Sequence, residues 1–567
     1  MDRNSNATGC GHVEGGPRFY RILFCLLAFT VFMPVTAALA HRHGAEGGDA
    51  DTAMEKFGTV HMPISCAPSV QAPFERGVAL LHSFWYEEAS KQFKAIVEMD
   101  SDCAMGHWGL AMTEWRPFWD GMPDDRRKAG IAEIDKAAAL RPKTDREQRY
   151  IAALGSYMHA DPARSATALR AYNAAMGALT EAHPDDVEAQ AFLGLGLAAA
   201  ITDPGESAHR ALAVLEPGFR AHPDHPGFAH YIIHTCDSPQ LAREALPAAE
   251  KYAAIAPSSA HALHMPGHIF ARLGMWKEDI ASNTASVRAS EYAETHHLGG
   301  VGHQMHADEF LLYAYLQQGN HEKAQQVRDL VDPLVAHLKA LPGIADDDMA
   351  MFATYFQVEL PDIYGLEMSD WRAVLAVPEP PQSLVSAKYY RVWARAIAAG
   401  HLRDAETADA AAESAKSLYD ATAAEGSPIS MEIRAAQATI DAWRSFAHHD
   451  DADALQKIGE AADIQDRVGQ AEVDIPAREM YGDMLLIDQR PAEALEQYRI
   501  ALRLSPNRFN GLYHAGRAAE AAGKPEDARV FYKQLLKMVE DGAPSQRPEI
   551  TYSREFVRDG GTATGAE

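Results

Sequence analysis

The sequence predicts an all-α chain of stacked helical hairpins, and three observations carry that prediction. From about residue 70 onward the chain is rich in Ala, and its apolar residues recur at intervals of three and four, the period of one helix face. No run alternates with period two, so no strand is expected. Gly482, Ala494 and Tyr498 recur as Gly516, Ala528 and Tyr532, each 34 residues later, the mark of a repeated helix–turn–helix unit. The composition agrees: 567 residues, 47% hydrophobic, with Gly 40 and Pro 31, exclude a collagen-like or wholly disordered chain. A net charge of -27 argues against a broad phosphate-binding surface, so no nucleic acid partner is expected.

The N-terminus reads as an address. Ile22 to Ala40 is a 19-residue apolar stretch behind Arg18 and Arg21, and it ends in Ala38-Leu39-Ala40, a small-x-small pattern suited to signal peptidase. Residues 1–40 are therefore a cleaved signal peptide or an uncleaved membrane anchor. Both place the bulk of the chain outside the cytoplasm, in the periplasm of a bacterium, free or tethered to the inner membrane. Removing them leaves Cys66, Cys103 and Cys236, hence at most one intramolecular disulfide, expected at Cys66–Cys103. Cleavage after Ala40 exposes His41-Arg42-His43. An amine with His at the third position is a square-planar chelate for Cu(II), or simply a floppy polar terminus. Residues 41–70 carry no periodicity and are expected to be flexible.

In the repeated units, a small residue, Ala, an aromatic and Pro occupy positions 8, 20, 24 and 32, met by Gly482, Ala494, Tyr498 and Pro506. With these residues the chain resembles exported bacterial tetratricopeptide repeat (TPR) proteins. Upstream, Pro506 to Gly516, Pro184 to Gly194 and Pro257 to Gly267 share a ten-residue spacing, Pro223 and Pro257 lie 34 apart, and Gly77, Ala89 and Phe93 fit near the start. The resemblance implies a right-handed solenoid whose hairpins share one core and line a concave groove. Two arrays are expected, 71–340 and 386–540, around a junction at 341–385 marked by Pro342-Gly343, Asp346-Asp347-Asp348 and Pro378-Glu379-Pro380-Pro381. A disordered tail is expected at 541–567.

Eleven of the 26 histidines fall between His222 and His306. The repeat register puts His230 and His234 at positions 5 and 9 of one unit, and His261, His264 and His268 at positions 2, 5 and 9 of the next. A further unit places His306 at position 2 and Glu309 at position 5. The resemblance implies that these positions face the groove, and spacings of three, four and seven share one helix face on their own account. Imidazole is a ligand for Zn, Cu, Fe and Ni, and two at i, i+4 can hold one ion. Pro266, between His264 and His268, lacks the N–H that would bond the Ala262 carbonyl, so a kink costing on the order of 3 kcal/mol is expected between them.

The expected function is an extracytoplasmic TPR scaffold whose groove takes a protein or peptide partner, with a transition-metal site (Cu, Zn or Fe) at His230, His234, His261, His264, His268 and His306. The alternative is a metalloenzyme activating water or dioxygen there, with Glu309 as general base. A polar, His-lined groove without metal is the plain reading of the same residues. Gly299-Gly300-Val301-Gly302 reads as an inter-repeat turn or an anion-binding nest, Met265 and Met305 as core or as Cu(I) ligands, Cys236 as a buried residue or a ligand, and His82, His107, Trp108, Glu114 and Trp115 as core and rim or an extension of the groove chemistry. No HExxH, CxxCH, GxSxG or Walker A motif is present, so no hydrolase or kinase family is implied.

Overall fold

Several helix starts among the described residues follow local chemistry. Asp186 caps the amide of Ala189, Ser259 that of Ala262 and Ser430 that of Ile433, each supplying an acceptor to a first-turn N–H that has no helical partner. Pro226, Pro491 and Pro548 open helices at the first position, where the missing N–H costs nothing. The computed structural model describes residues 56–559 apart from 119–121, 202–204, 299–301, 341–345, 380–384, 425–429, 541, 543, 544 and 546. The described residues hold helices and no strand.

The repeat register is visible as packing. Helices Ala477–Ile487 and Pro491–Leu504 form one hairpin, and Phe509–Ala521 and Pro525–Glu540 the next. A side chain at Gly482 would come within 2.7 Å of the Tyr498 ring, and one at Gly516 within 2.3 Å of Tyr532. The small residue at position 8 is thus the seat for the aromatic at position 24, which is why the two recur together. Gly77 and Phe93 repeat the arrangement in the hairpin of Gln71–His82 with Tyr86–Met99.

Three segments differ from their sequence reading. Within the expected flexible segment, residues 56–70 lie against the first hairpins: Phe57, Met62 and Val70 are buried. Side-chain carboxylates take the amides there, Glu75 that of Met62, Glu147 that of Ser65 and Asp100 that of Ala67 at 2.7 Å. Cys66 is disulfide-bonded to Cys103. Partners so distant in sequence leave no periodic signal. The expected junction carries helices Asp346–Glu367 and Trp371–Ala376. The expected disordered tail holds a helix, Pro548–Arg558, that buries Ile550 and Phe556. Residues 1–40 and His41-Arg42-His43 lie outside the described residues.

The two stretches of hairpins touch. Trp276 donates to the Asn507 carbonyl at 2.7 Å, and Asn507 donates back to the carbonyl of Gly274 at 3.1 Å. Gly274 has φ +64, and a Cβ there would lie 2.2 Å from the Pro506 carbonyl oxygen, so only glycine fits this crossing. Beside it, buried Arg508 pairs with Glu367 at 2.7 Å and Glu479 at 2.9 Å. Tyr313 donates to the Asp474 carbonyl at 2.7 Å. These ties carry the segment around Glu472 to the histidine-rich helices. Among the described residues, no helix is long and apolar enough to cross a membrane.

Candidate metal centre

Three stretches of helix present the six histidines. Pro226–Thr235 carries His230 and His234; Ala260–His264 and Pro266–Arg272 carry His261, His264 and His268; His303–Gln317 carries His306. The break falls at Met265 and Pro266, where the sequence places it. The structure divides the six into two adjoining sets of three. One ring nitrogen from each of His230, His234 and His261 lies within 4.8 Å of the others, and the same holds for His264, His268 and His306.

In the first set the Nε2 atoms of His234 and His261 each stand 3.1 Å from Nε2 of His230. The Nδ1–H of His230 donates to the His82 carbonyl at 2.6 Å, so its Nε2 presents a lone pair to the other two. The Phe84 ring lies 4.2, 5.5 and 5.6 Å from the three imidazoles, and Phe118 stacks on His234 at 4.2 Å. Burial, with the neighbouring imidazoles adding to it, holds His230 and His261 well below the usual histidine range. It lowers His234 to about 3. All three are neutral at pH 7, the form that binds metal.

In the second set Nε2 of His264 and His268 are 2.9 Å apart. His264 donates from Nδ1 to Asn283 Oδ1 at 2.6 Å. His268 donates from Nδ1 to Asp237 at 2.9 Å and Glu472 at 3.0 Å, and His306 to Glu309 at 2.7 Å. Phe310 faces all three rings at 4.9, 4.9 and 5.3 Å. Burial opposes a charge on His268, but Asp237 and Glu472 outweigh it and hold its pKa at about 10. The Nε2 proton then bridges to His264, where an ion would take its place. Outer acceptors on Nδ1 that fix tautomer and ring direction are the usual setting of metal-ligating histidine. Glu309, expected as a general base, is the anchor of His306.

A third cluster has the opposite bookkeeping. Buried Glu188 accepts from His82 Nε2 at 2.8 Å and His225 Nε2 at 3.0 Å. Nδ1 of His82 meets the Tyr231 hydroxyl at 2.7 Å, and Nδ1 of His225 accepts the Gly227 amide at 3.1 Å. Both Nε2 protons are committed to the carboxylate, which neutral imidazoles therefore satisfy without an ion. Burial works against charge on Glu188, but these two histidines hold its pKa well below the usual range. A cleft of about 760 Å³ lies against this cluster, lined by Thr59, His61, Arg146, Asp186 and His222 among others, and none of the six histidines lines it.

The remaining candidates fall as core. Met265, Met305, Trp108 and Trp115 are buried. Burial pushes the Cys236 thiol up to about 12, leaving it an inert core residue. His107 pairs with Glu133 at 2.6 Å, and burial raises Glu114. Of the Gly-rich turn only Gly302, ahead of the helix His303–Gln317, lies among the described residues. Missed from sequence were Asn283, Asp237, Glu472 and His303, whose ring lies 5.0 Å from His261. Asn283 left a signal: it stands sixteen residues after Gly267, as Tyr498 stands after Gly482. The aromatic seat of this one hairpin holds an amide, and a Cβ at Gly267 would lie 2.6 Å from it.

No protein-family model matches the chain, and no curated protein matches it. Among solved structures, the human IFIT1 dimer with PPP-AAAA aligns at 11% identity, over 77% of this chain and 91% of its own, with a TM-score of 0.38. The human IFIT1 dimer with m7Gppp-AAAA aligns at 13% identity, over 77% and 90%, with a TM-score of 0.35. Likenesses this low assign neither ligand nor partner to the chain.

Proposed function

We propose that the chain is an extracytoplasmic helical-repeat protein that binds two transition-metal ions, one in each three-histidine set. One observation carries the reading. His230, His264, His268 and His306 all give their Nδ1 proton to an oxygen, and each set brings one nitrogen per ring within 4.8 Å. Lone pairs so directed repel one another unless a proton or a cation sits between them. The imidazole donors suit Cu, Zn or Fe. The Cys66–Cys103 disulfide supports an oxidising compartment, as the leader does. The function is metal holding or transfer to a protein partner. A metalloenzyme is the second reading, favoured by the ligand number: three histidines leave a four-coordinate ion one open position for water or dioxygen.

Elemental analysis of the purified full chain tests this. Two equivalents of metal are expected in the wild type and one in His264→Ala/His268→Ala. A double variant that keeps the wild-type content contradicts the reading.

A further inference from the structure

The two sets are alike in ligands and unlike in what surrounds them. The anchor identified for the first is a neutral main-chain carbonyl, that of His82. Its walls are rings: Phe84 at 4.2 Å and Tyr252 at 5.0 Å from His230, and Phe118 at 4.2 Å from His234. The second set is held by carboxylates, Asp237 and Glu472 on His268 and Glu309 on His306. One guanidinium, that of Arg272, pairs with both Asp237 at 2.9 Å and Glu472 at 3.2 Å, so acid exceeds base around this set.

Moving an ion out of water costs roughly as the square of its charge, and only nearby opposite charge offsets that cost in a buried site. A dication in the first set meets neutral rings, a carbonyl and, at His234, the field of Asp237, and a monocation there carries about a quarter of the desolvation cost. A dication in the second set meets the excess of carboxylate just behind its imidazoles, at distances where Coulomb attraction is strong in a poorly hydrated interior. The contrast is built into the chain. Asp237 follows the first helix, and Glu472 is brought from the other stretch of hairpins by the segment 469–475.

We propose that the two sets sort ions by charge: His230, His234 and His261 hold a soft monovalent ion, Cu(I), and His264, His268 and His306 hold a divalent ion of the Zn(II) class. This rests on the two-ion reading and deepens it. Cu(I) accepts three neutral nitrogen ligands in trigonal geometry, and Zn(II) takes the same donors with an open fourth position. Glu309, Asp237 and Glu472 are positioning residues in this account, each acting on the ion through an imidazole.

The test loads the full chain anaerobically with equal excesses of Cu(I), as its acetonitrile complex, and Zn(II), then measures bound metal after gel filtration. One Cu and one Zn per chain are expected. His234→Ala should lose the Cu and keep the Zn, and His306→Ala the reverse. The conservative pair Glu309→Gln/Glu472→Gln keeps all six ligands and removes negative charge. Its Zn content should fall at least tenfold at limiting Zn, while its Cu rises from one equivalent towards two. If each single variant loses Cu and Zn in equal shares, or the Gln pair leaves the Cu:Zn ratio unchanged, the sorting is overturned while the two-ion reading stands. A wild-type chain that binds neither ion overturns both.

Discussion

The second set depends on which nitrogen of each imidazole is occupied. His264 is fixed by Asn283, whose amide in turn donates to Asp279 Oδ1 at 2.6 Å. Burial raises Asp279 well above the usual carboxylate range. Removing the amide in Asn283→Ala leaves Nδ1 of His264 with no acceptor and its ring free to turn. A fall in affinity for the second ion of roughly 10- to 100-fold is expected, read by competition with a chelator, with helix content unchanged by circular dichroism. Gly267→Ala reaches the same result by another route, because its methyl would displace Asn283. Unchanged affinity in both variants would show that the anchor has no part in binding.

Among the elements, the interrupted helix from Ala260 to Arg272 matters most. Met265 itself has helical angles, φ -51 and ψ -36, yet Pro266 denies the Ala262 carbonyl its donor, so the helix is interrupted between His264 and His268. Pro266→Ala restores the donor. The variant should unfold at equal or higher temperature while binding the second ion roughly tenfold more weakly, because the altered turn would shift His268 against its anchors Asp237 and Glu472. A loss of both stability and binding would mark Pro266 as a packing residue only. Farther along, Asp483 and His514 join the first helices of two neighbouring hairpins at 2.8 Å. Burial opposes charge on both, yet the pairing holds the aspartate below its usual pKa and the histidine above it. The aspartate's contribution is present above its unfolded pKa and lost as pH falls through the folded one. The histidine's is present below about 6.5 and lost as pH rises through its raised folded value. His514→Asn should therefore cost most near pH 5–6, and its deficit in melting temperature should shrink as pH climbs towards 9.

For the whole molecule, the hairpins and the His-bearing faces were legible because they rest on local rules: period, the small–aromatic pair sixteen apart, and proline at a break. What was not legible depends on partners far away in sequence. Glu472 reaches His268 from 204 residues off, and the strapping of residues 56–70 by Glu75, Asp100 and Glu147 has no periodic trace. The single site expected from the register resolves into two sets because His261 and His264, three apart, turn to opposite neighbours. Arg508 is the tie on which this closure rests, buried between Glu367 and Glu479. Arg508→Met leaves two buried carboxylates without their cation. A loss of about 3–5 kcal/mol in urea unfolding is expected, and a loss under 1 kcal/mol would show that the pairs carry no such role.

Six named imidazoles are proposed to hold two ions. Crystals of the metal-loaded full chain, measured for anomalous scattering at the metal edge, address it most directly. Two peaks are expected, one about 2 Å from a ring nitrogen of each of His230, His234 and His261, the other likewise placed among His264, His268 and His306. A map of a loaded, metal-containing crystal with no peak at either set, or with its peaks at other residues, contradicts the account.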